Sequence, residues 1–164
     1  MSESEIVIRP IVNSDVDCIA SACWENHETQ TRLLEHQRIL GIGAWQGSLF
    51  AGQLHCYSVT LPEWDDTNFP GYGRQRPVSW PLGWPLLAAN EKGLRFDGPV
   101  WAHACFHVGF TGPDARKADR SYFGRGIGTA MCRESIRWAR EHSYAAVLAQ
   151  GGTKAVPEYN VWMV

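Results

Sequence analysis

Short runs of apolar and β-branched residues alternate along the chain with segments of helical periodicity. Residues 5–10 form one such run, ended by proline, and predict a first strand. The runs 38–45 and 49–59 flank the glycine-containing turn 46–48 and predict a β-hairpin. Strict alternation would place one set of side chains on one face of the second hairpin strand: Leu49, Ala51, Gln53, His55 and Tyr57. The opposite face would carry the other set: Phe50, Gly52, Leu54, Cys56 and Ser58.

Three segments have the spacing of helices. A first helix is predicted from residue 13 or 14 to about 25, because apolar residues recur at helical spacing and 14–17 resembles a capping box. A second helix is predicted over about 28–37, with Leu33 and Leu34 as its buried pair. The third and longest, about 129–142, follows a glycine-rich turn without a break.

The remaining pattern predicts a central strand, a last strand and two loops. Residues 100–110 are apolar on both faces at several points, as expected of a central strand. Residues 144–150 predict the last strand, and the polar segment 111–120 predicts an exposed loop. Six of the nine prolines and three tryptophans lie within 60–99. This density predicts a long ordered loop, either a lid or binding loop or an insertion that only covers the core.

Composition narrows the class of protein. A chain of 164 residues is one domain's worth, and a net charge of −2 gives no basic bias, so nucleic acid is a poor candidate partner. The acidic segment 1–5 lacks an apolar signal core, and no apolar run approaches the length of a membrane span. The five cysteines are odd in number, scattered and mostly among apolar neighbours. We therefore expect a soluble cytoplasmic protein with reduced, buried thiols and no membrane partner.

The histidines do not predict a metal site. The chain has no CxxC or HExxH motif. His103 and His107 are four residues apart on the predicted central strand, where that spacing puts two side chains on one face about 13 Å apart. They could not share one ion, so no metal is expected. His55, on the hairpin, is expected to be a partly buried structural histidine.

The glycine turn before the longest helix carries the candidate chemistry. Gly124, Gly126 and Gly128 alternate directly ahead of the helix. Such a turn aims unpaired N–H groups and the positive end of the helix dipole at one point, where a phosphate could bind. The alternative interpretation is purely structural: the glycines merely let the helix start close to a strand. No Walker A string is present, and the late position of the turn fits a dinucleotide fold poorly.

The order of elements and the sequence of the glycine turn resemble those of the GNAT superfamily of N-acetyltransferases. That family carries [Q/R]-x-x-G-x-[G/A] between its fourth strand and third helix, and Gly126 and Gly128 fill the two glycine positions. The resemblance covers the elements of about 5–152, with the specific motif within about 105–141. The family's Gln or Arg position is Phe123 here. The resemblance implies an α+β, three-layer GNAT-like fold in a single domain, 1–164, with a mixed central sheet flanked by helices.

The resemblance also implies that acetyl-CoA binds as a cosubstrate. Backbone N–H groups at 125–129 would hold its pyrophosphate, and the Arg125 side chain could add a contact. The strand edge at 106–108 would bond the pantetheine arm, and the amide near Val108 would polarise the thioester carbonyl. The residues expected at the cosubstrate are Phe106, His107, Val108, Phe123, Gly124, Arg125, Gly126, Ile127, Gly128 and Thr129.

Catalytic residues are less closely defined by the resemblance. The family's usual acid is a tyrosine after the fifth strand, and Tyr159 lies in about that region, although the residues around it do not match the family's run. His107 is a candidate base, and its alternative role is structural, as a hydrogen-bonded histidine of the core. The acceptor would be an amine of a small molecule or a peptide, and a homodimer is a possible assembly.

Two other interpretations stay open at this point. The chain could be a GNAT-fold module that binds acyl-CoA without catalysis, or an inactive truncated relic. A nucleotide-binding α/β domain is the weaker alternative. Because the family continues with a helix and a closing β-hairpin, we expect this chain to lack the C-terminal strands.

Overall fold

The computed structural model describes residues 5–19, 27–59, 96–112 and 117–149. Several sequence predictions lie outside these ranges. They are the first helix beyond residue 19, nearly all of the loop 60–99, the expected lack of C-terminal strands and Tyr159.

The described residues form one mixed sheet and two α-helices. The strands are β1 (Ile6–Ile11), β2 (Gly41–Gln46), β3 (Leu49–Val59), β4 (Val100–Val108) and β5 (Ala146–Leu148). They lie side by side in chain order. The first three pairings are antiparallel, whereas β4 and β5 are parallel. The helices are α1 (His27–Gln37) and α2 (Ile127–Glu141), and α2 is the crossover between the two parallel strands.

Each face of the sheet has its own apolar core. The core on the α1 face includes Ile11, Leu33, Trp45, Phe50, Tyr57 and Val100. The core on the α2 face includes Ile42, Leu54, Trp101, Ile127 and Met131. Since both faces are covered, the central strands are apolar on both sides, as the sequence of β4 predicts. The architecture is therefore a layer of sheet between two helical layers, with mixed α and β content.

The predicted helix from residue 13 or 14 is wrong over 16–19. The chain forms a 3₁₀ turn, Asn13–Asp15, and then a turn that does not continue as an α-helix. The buried Asp15 carboxylate accepts two hydrogen bonds at 2.7 Å from the guanidinium of Arg9 and one at 2.9 Å from the N–H of Val12. The Arg9 guanidinium also lies 3.7 Å from the centre of the Trp45 ring. Asp15 thus holds the turn against β1 and does not open a helix.

A β-bulge in β3 changes the predicted face of Phe50. Ala44 pairs with Gly52 but Trp45 pairs with Phe50, so Ala51 is an extra residue. Phe50 therefore lies in the α1-side core, and Ala51 lies in the α2-side core. The predicted alternation is correct from Gln53 onwards and wrong for these two residues.

A second bulge separates the two histidines of β4. His55 pairs with Cys105 and Cys56 pairs with His103, which leaves residue 104 unpaired. His103 therefore faces α2, where it bonds to a helix side chain, and His107 faces the α1 side next to His55. The prediction that His103 and His107 share a face is wrong because a bulge reverses the alternation between them.

The other predicted elements are present with shifted ends. The second predicted helix and the hairpin are confirmed, and α2 begins at Ile127, ahead of its predicted start. Strand β5 has three residues instead of the predicted seven. Of the described thiols, Cys56 is buried and Cys132 half-buried, but Cys18 is exposed, contrary to expectation; all three are free. None of the helices in the described ranges has the length and apolar character needed to cross a bilayer.

Candidate functional site

The glycine turn has a backbone conformation that residues with a side chain rarely adopt. It follows a 3₁₀ turn, Arg120–Tyr122, whose Asp119 cap accepts a 2.9 Å hydrogen bond from the N–H of Ser121. Gly124 and Gly126 then have φ values of +72° and +75°, in the left-handed region. A Cβ atom built on either glycine would meet no atom within 4 Å. The glycines are therefore needed for the backbone path, and the space beside them is open.

Gly126 is the N-cap of α2 and leaves its first turn uncapped by a side chain. Ala130 is the first residue whose N–H bonds within the helix, to the carbonyl of Gly126 at 2.9 Å. The first turn has no acidic residue. The N–H groups of Ile127, Gly128 and Thr129 thus begin a 15-residue helix with the positive dipole end uncompensated by a carboxylate from that turn. This is an electrostatic environment that attracts an anion.

Strand β4 has an open edge beside this turn. It pairs with β5 only over Val100–Ala102, and within the described ranges no strand pairs with 103–108 on that side. The bulge at residue 104 comes just after this pairing ends. Within the described ranges, the backbone of β4 beyond Ala102 therefore has no partner strand on this side, and a strand edge of that kind can hydrogen-bond to an extended ligand.

Gly109 brings the strand end and the turn together. Its N–H donates to the carbonyl of Ala51 at 2.8 Å, and its carbonyl accepts from the N–H of Asp119 at 2.7 Å. The φ of Gly109 is +83°, and a Cβ atom there would lie 2.3 Å from the carbonyl oxygen of Asp119. Only glycine allows this approach, which fixes the loop so that the glycine turn begins next to the end of β4.

An open cavity of about 320 Å³ lies between the end of β4 and the glycine turn. Its lining contains nine of the ten residues predicted at the cosubstrate: Phe106, His107, Val108, Phe123, Gly124, Arg125, Gly126, Ile127 and Gly128. Thr129 lies one residue further along α2 and does not line it. Three lining residues were missed: Phe110, Ala118 and Tyr122. Tyr122 adjoins one predicted segment and Phe110 lies two residues beyond the other, so both could have been included for that reason, whereas no sequence signal points to Ala118.

Arg125 provides a positive charge at the rim of this cavity. Its guanidinium lies 5.5 Å from the centre of the Tyr122 ring. Tyr122 is buried, and its hydroxyl donates a 2.9 Å hydrogen bond to Oε1 of Gln46. Phe123, in the position of the family's Gln or Arg, is 48% exposed and offers only an apolar surface. The charge near the glycines therefore comes from Arg125 and the helix end.

His107 lies at the α1-side edge of the cavity between two rings. Its ring centre is 5.7 Å from that of His55 and 5.5 Å from that of Phe110. His55 is 1% exposed, and its Nε2 lies 2.7 Å from Nε2 of the equally buried Gln53. Burial lowers the pKa of His55 well below its ordinary value, and the charge of His107 lowers it further. His55 is therefore a neutral, buried imidazole, more deeply buried than the sequence predicts.

A second buried polar cluster holds α2 to the sheet behind the cavity. The hydroxyl oxygen of Ser135 lies 2.8 Å from Nε1 of Trp101, 2.8 Å from Nε2 of His103 and 3.4 Å from Sγ of Cys56. Burial lowers the pKa of His103 to about 4 and raises that of Cys56 to about 12. The imidazole is therefore neutral and the thiol protonated near neutral pH, so this cluster is structural and does not provide a nucleophile.

Comparisons of the chain with known family models, curated proteins and solved structures gave no match. The chemistry of the site therefore has to be argued from its own geometry. Among the residues that the structure describes, no three His, Cys, Asp or Glu side chains are grouped so as to hold a metal ion. What these residues offer is an anion site at a helix N-terminus, an adjoining unpaired strand edge and an imidazole at the cavity edge.

Proposed function

We propose that this protein is an N-acetyltransferase of the GNAT fold, which moves the acetyl group of acetyl-CoA to an amine of a small molecule or a peptide. The observation that carries the proposal is the position of the glycine turn, directly beside the part of β4 that has no neighbour on the β5 side within the described ranges. An anion site alone would suit many phosphate ligands. An anion site continued by an open strand edge suits a ligand with a pyrophosphate joined to an extended, amide-containing arm.

The residues at the site fit the two ends of such a ligand. The N–H groups of 126–129 and the guanidinium of Arg125 would bind the pyrophosphate. The edge of β4 at Phe106–Val108 would bond the amides of the pantetheine arm as an added strand does. The open space beside Gly124 and Gly126 admits a ligand close to the backbone. A cavity of about 320 Å³ would hold the pyrophosphate and the adjacent part of the arm.

The strand order supports the same proposal. A mixed sheet with antiparallel β1–β4, a parallel β5 and α2 as the crossover agrees with what the GNAT resemblance implies. The proposal requires β4 and β5 to separate beyond Ala102, because that family admits its cosubstrate between these two strands. This agreement between the strand order and the GNAT resemblance concerns the described residues, which end at 149.

The proposed reaction requires that protons move at two atoms. The acceptor nitrogen bonds the acetyl carbon as the carbon–sulfur bond breaks, so nitrogen loses a proton and the leaving sulfur gains one. His107, at the cavity edge, would accept the proton from nitrogen. The backbone amide near Val108 would stabilise the negative charge that develops on the carbonyl oxygen. Tyr159 stays the proposed acid for sulfur.

Thiol release from acetyl-CoA in the presence of a panel of primary amines tests this function. We expect amine-dependent release, with acetylated amine formed in equal amount. His107→Gln should lower kcat by about 10²-fold or more, because general acid–base catalysis typically contributes that much. His36→Gln, an exposed change on α1, is the matched control and should leave the rate unchanged. CoA binding without turnover would identify a non-catalytic acyl-CoA module, and absence of CoA binding would refute both.

A further inference from the structure

The ring of His107 has two ring neighbours on the α1 face of the sheet. Phe110 meets it edge to face, with an interplanar angle of 77°, and His55 meets it at a tilt of 42°. In β3 and β4 the partner of His107 is Gln53, and that of Cys105 is His55. The amide, the buried imidazole and the cavity imidazole therefore lie together across two paired strands.

The contact between Gln53 and His55 fixes the proton of His55. Both side chains are buried, at 0% and 1% exposure, and their Nε2 atoms are 2.7 Å apart. An amide nitrogen can only donate, so Nε2 of His55 must be the acceptor and its proton must be on Nδ1. With the amide nitrogen towards the ring, this contact favours the neutral tautomer of His55 that has its proton on Nδ1.

The two neighbouring imidazoles differ in burial and in access to the cavity. Two neighbouring imidazolium ions repel each other, and burial disfavours the charged form of His55. The charge of His107 also disfavours the charged form of His55. His55 is therefore neutral, and His107 is the member of the pair that lines the cavity.

We propose that Gln53 and His55 are positioning residues for His107, a buried amide–imidazole pair that holds the ring of His107 in place. This inference rests on the proposed function, because it assigns His107 a proton to accept from the acceptor amine. It adds two buried β3 residues to the machinery, although neither touches the cavity.

The test is a double-mutant cycle between the pair and His107. His55→Phe combined with Gln53→Leu removes both polar partners together, so that no buried donor is left without an acceptor. We expect kcat of this double variant to fall about 10-fold to 100-fold, as a misplaced catalytic group does, with an unchanged KM for acetyl-CoA. Added to His107→Gln, the same two changes should cause no further loss, because residues that act as a unit are not additive.

Each outcome has a distinct meaning. Full activity of the double variant would refute the positioning role of Gln53 and His55, and so would a further loss of activity when the two changes are added to His107→Gln. Neither result would affect the proposed function. Absence of turnover by the wild type with every amine overturns the proposed function and this inference with it. If the double variant does not fold, ¹⁵N spectra of histidine-labelled wild type test the proposal through the protonation state and tautomer of His55. We expect His55 to stay neutral with its lone pair on Nε2, and a protonated His55 or a lone pair on Nδ1 would overturn the proposal.

Discussion

Replacing Gly126 by alanine separates what the glycine turn does for the fold from what it does for a ligand. Gly126 has a φ of +75°, and a Cβ atom there would meet no protein atom within 4 Å. The substitution therefore adds a methyl group without a clash inside the protein. It places that methyl group in the open space beside the N–H groups of Ile127 and Gly128.

The expected loss of stability is small. A left-handed conformation costs an L-residue about 1–2 kcal/mol relative to glycine. Reduced freedom of the unfolded chain returns about 0.4–1 kcal/mol of this. The net loss is then roughly 1 kcal/mol, which lowers Tm by about 2–4 °C in a chain of this size.

The expected loss of binding is larger and specific. If the methyl group displaces a phosphate from one backbone N–H, the ligand loses a hydrogen bond to a charged group, about 1.5–3 kcal/mol. That corresponds to a Kd for CoA raised by about 10-fold to 100-fold. Gly47→Ala is the matched control, because Gly47 also has a positive φ, +62°, and open space around its missing side chain, but lies in the β2–β3 turn.

Calorimetric titration with CoA, beside a thermal melt of each variant, measures both effects. We expect the two variants to lose similar stability and only Gly126→Ala to lose affinity. If Gly126→Ala bound CoA like the wild type, or if Gly47→Ala weakened binding equally, the assignment of the turn as the phosphate site would be wrong.

Three further substitutions test the structure around the site. Gly109→Ala places a Cβ atom 2.3 Å from the carbonyl oxygen of Asp119. It should lower the free energy of unfolding, measured in urea, by more than about 2 kcal/mol. A loss equal to that of Gly47→Ala would contradict this close approach. Burial raises the pKa of Asp15, but its hydrogen bonds, above all from Arg9, lower it more, so its contribution is present at neutral pH and lost as pH falls through the lowered value. Asp15→Asn should therefore be less stable at about pH 7, by about 1–2 kcal/mol, with a gap that narrows in acid; a gap independent of pH would refute this. Burial lowers the pKa of His103 to about 4, so its stabilisation is complete above the unfolded value and lost as pH falls towards 4. Between about pH 7.5 and 4 the wild type should lose about 3 kcal/mol more than His103→Gln, and equal losses would contradict the assignment.

Local patterns in the sequence were enough to predict the elements that carry the site. The hairpin, the central strand and the glycine turn with its helix each have a periodicity or a turn composition of their own. The motif also placed nine residues around one cavity, because the glycine turn directly follows β4 in the order of elements. Contacts set by distant residues were not predictable in this way.

The errors share a physical cause, which is that the deciding contact lies elsewhere in the chain. The bulges at residues 51 and 104 leave no local trace, because strands buried on both faces are apolar whether or not the alternation shifts. The failure of the predicted helix over 16–19 depends on Arg9, on a neighbouring strand, which binds the carboxylate of Asp15. Ala118 reaches the cavity only because Gly109 bonds to Asp119.

The most direct measurement of the central claim is a backbone amide NMR titration with CoA. If the glycine turn and the open edge of β4 together hold acyl-CoA, the signals of 126–129 and of 106–108 should shift together, with one Kd. The Gly47 amide, in the β2–β3 turn, should stay in place. Saturating CoA that leaves both segments unshifted would contradict the account.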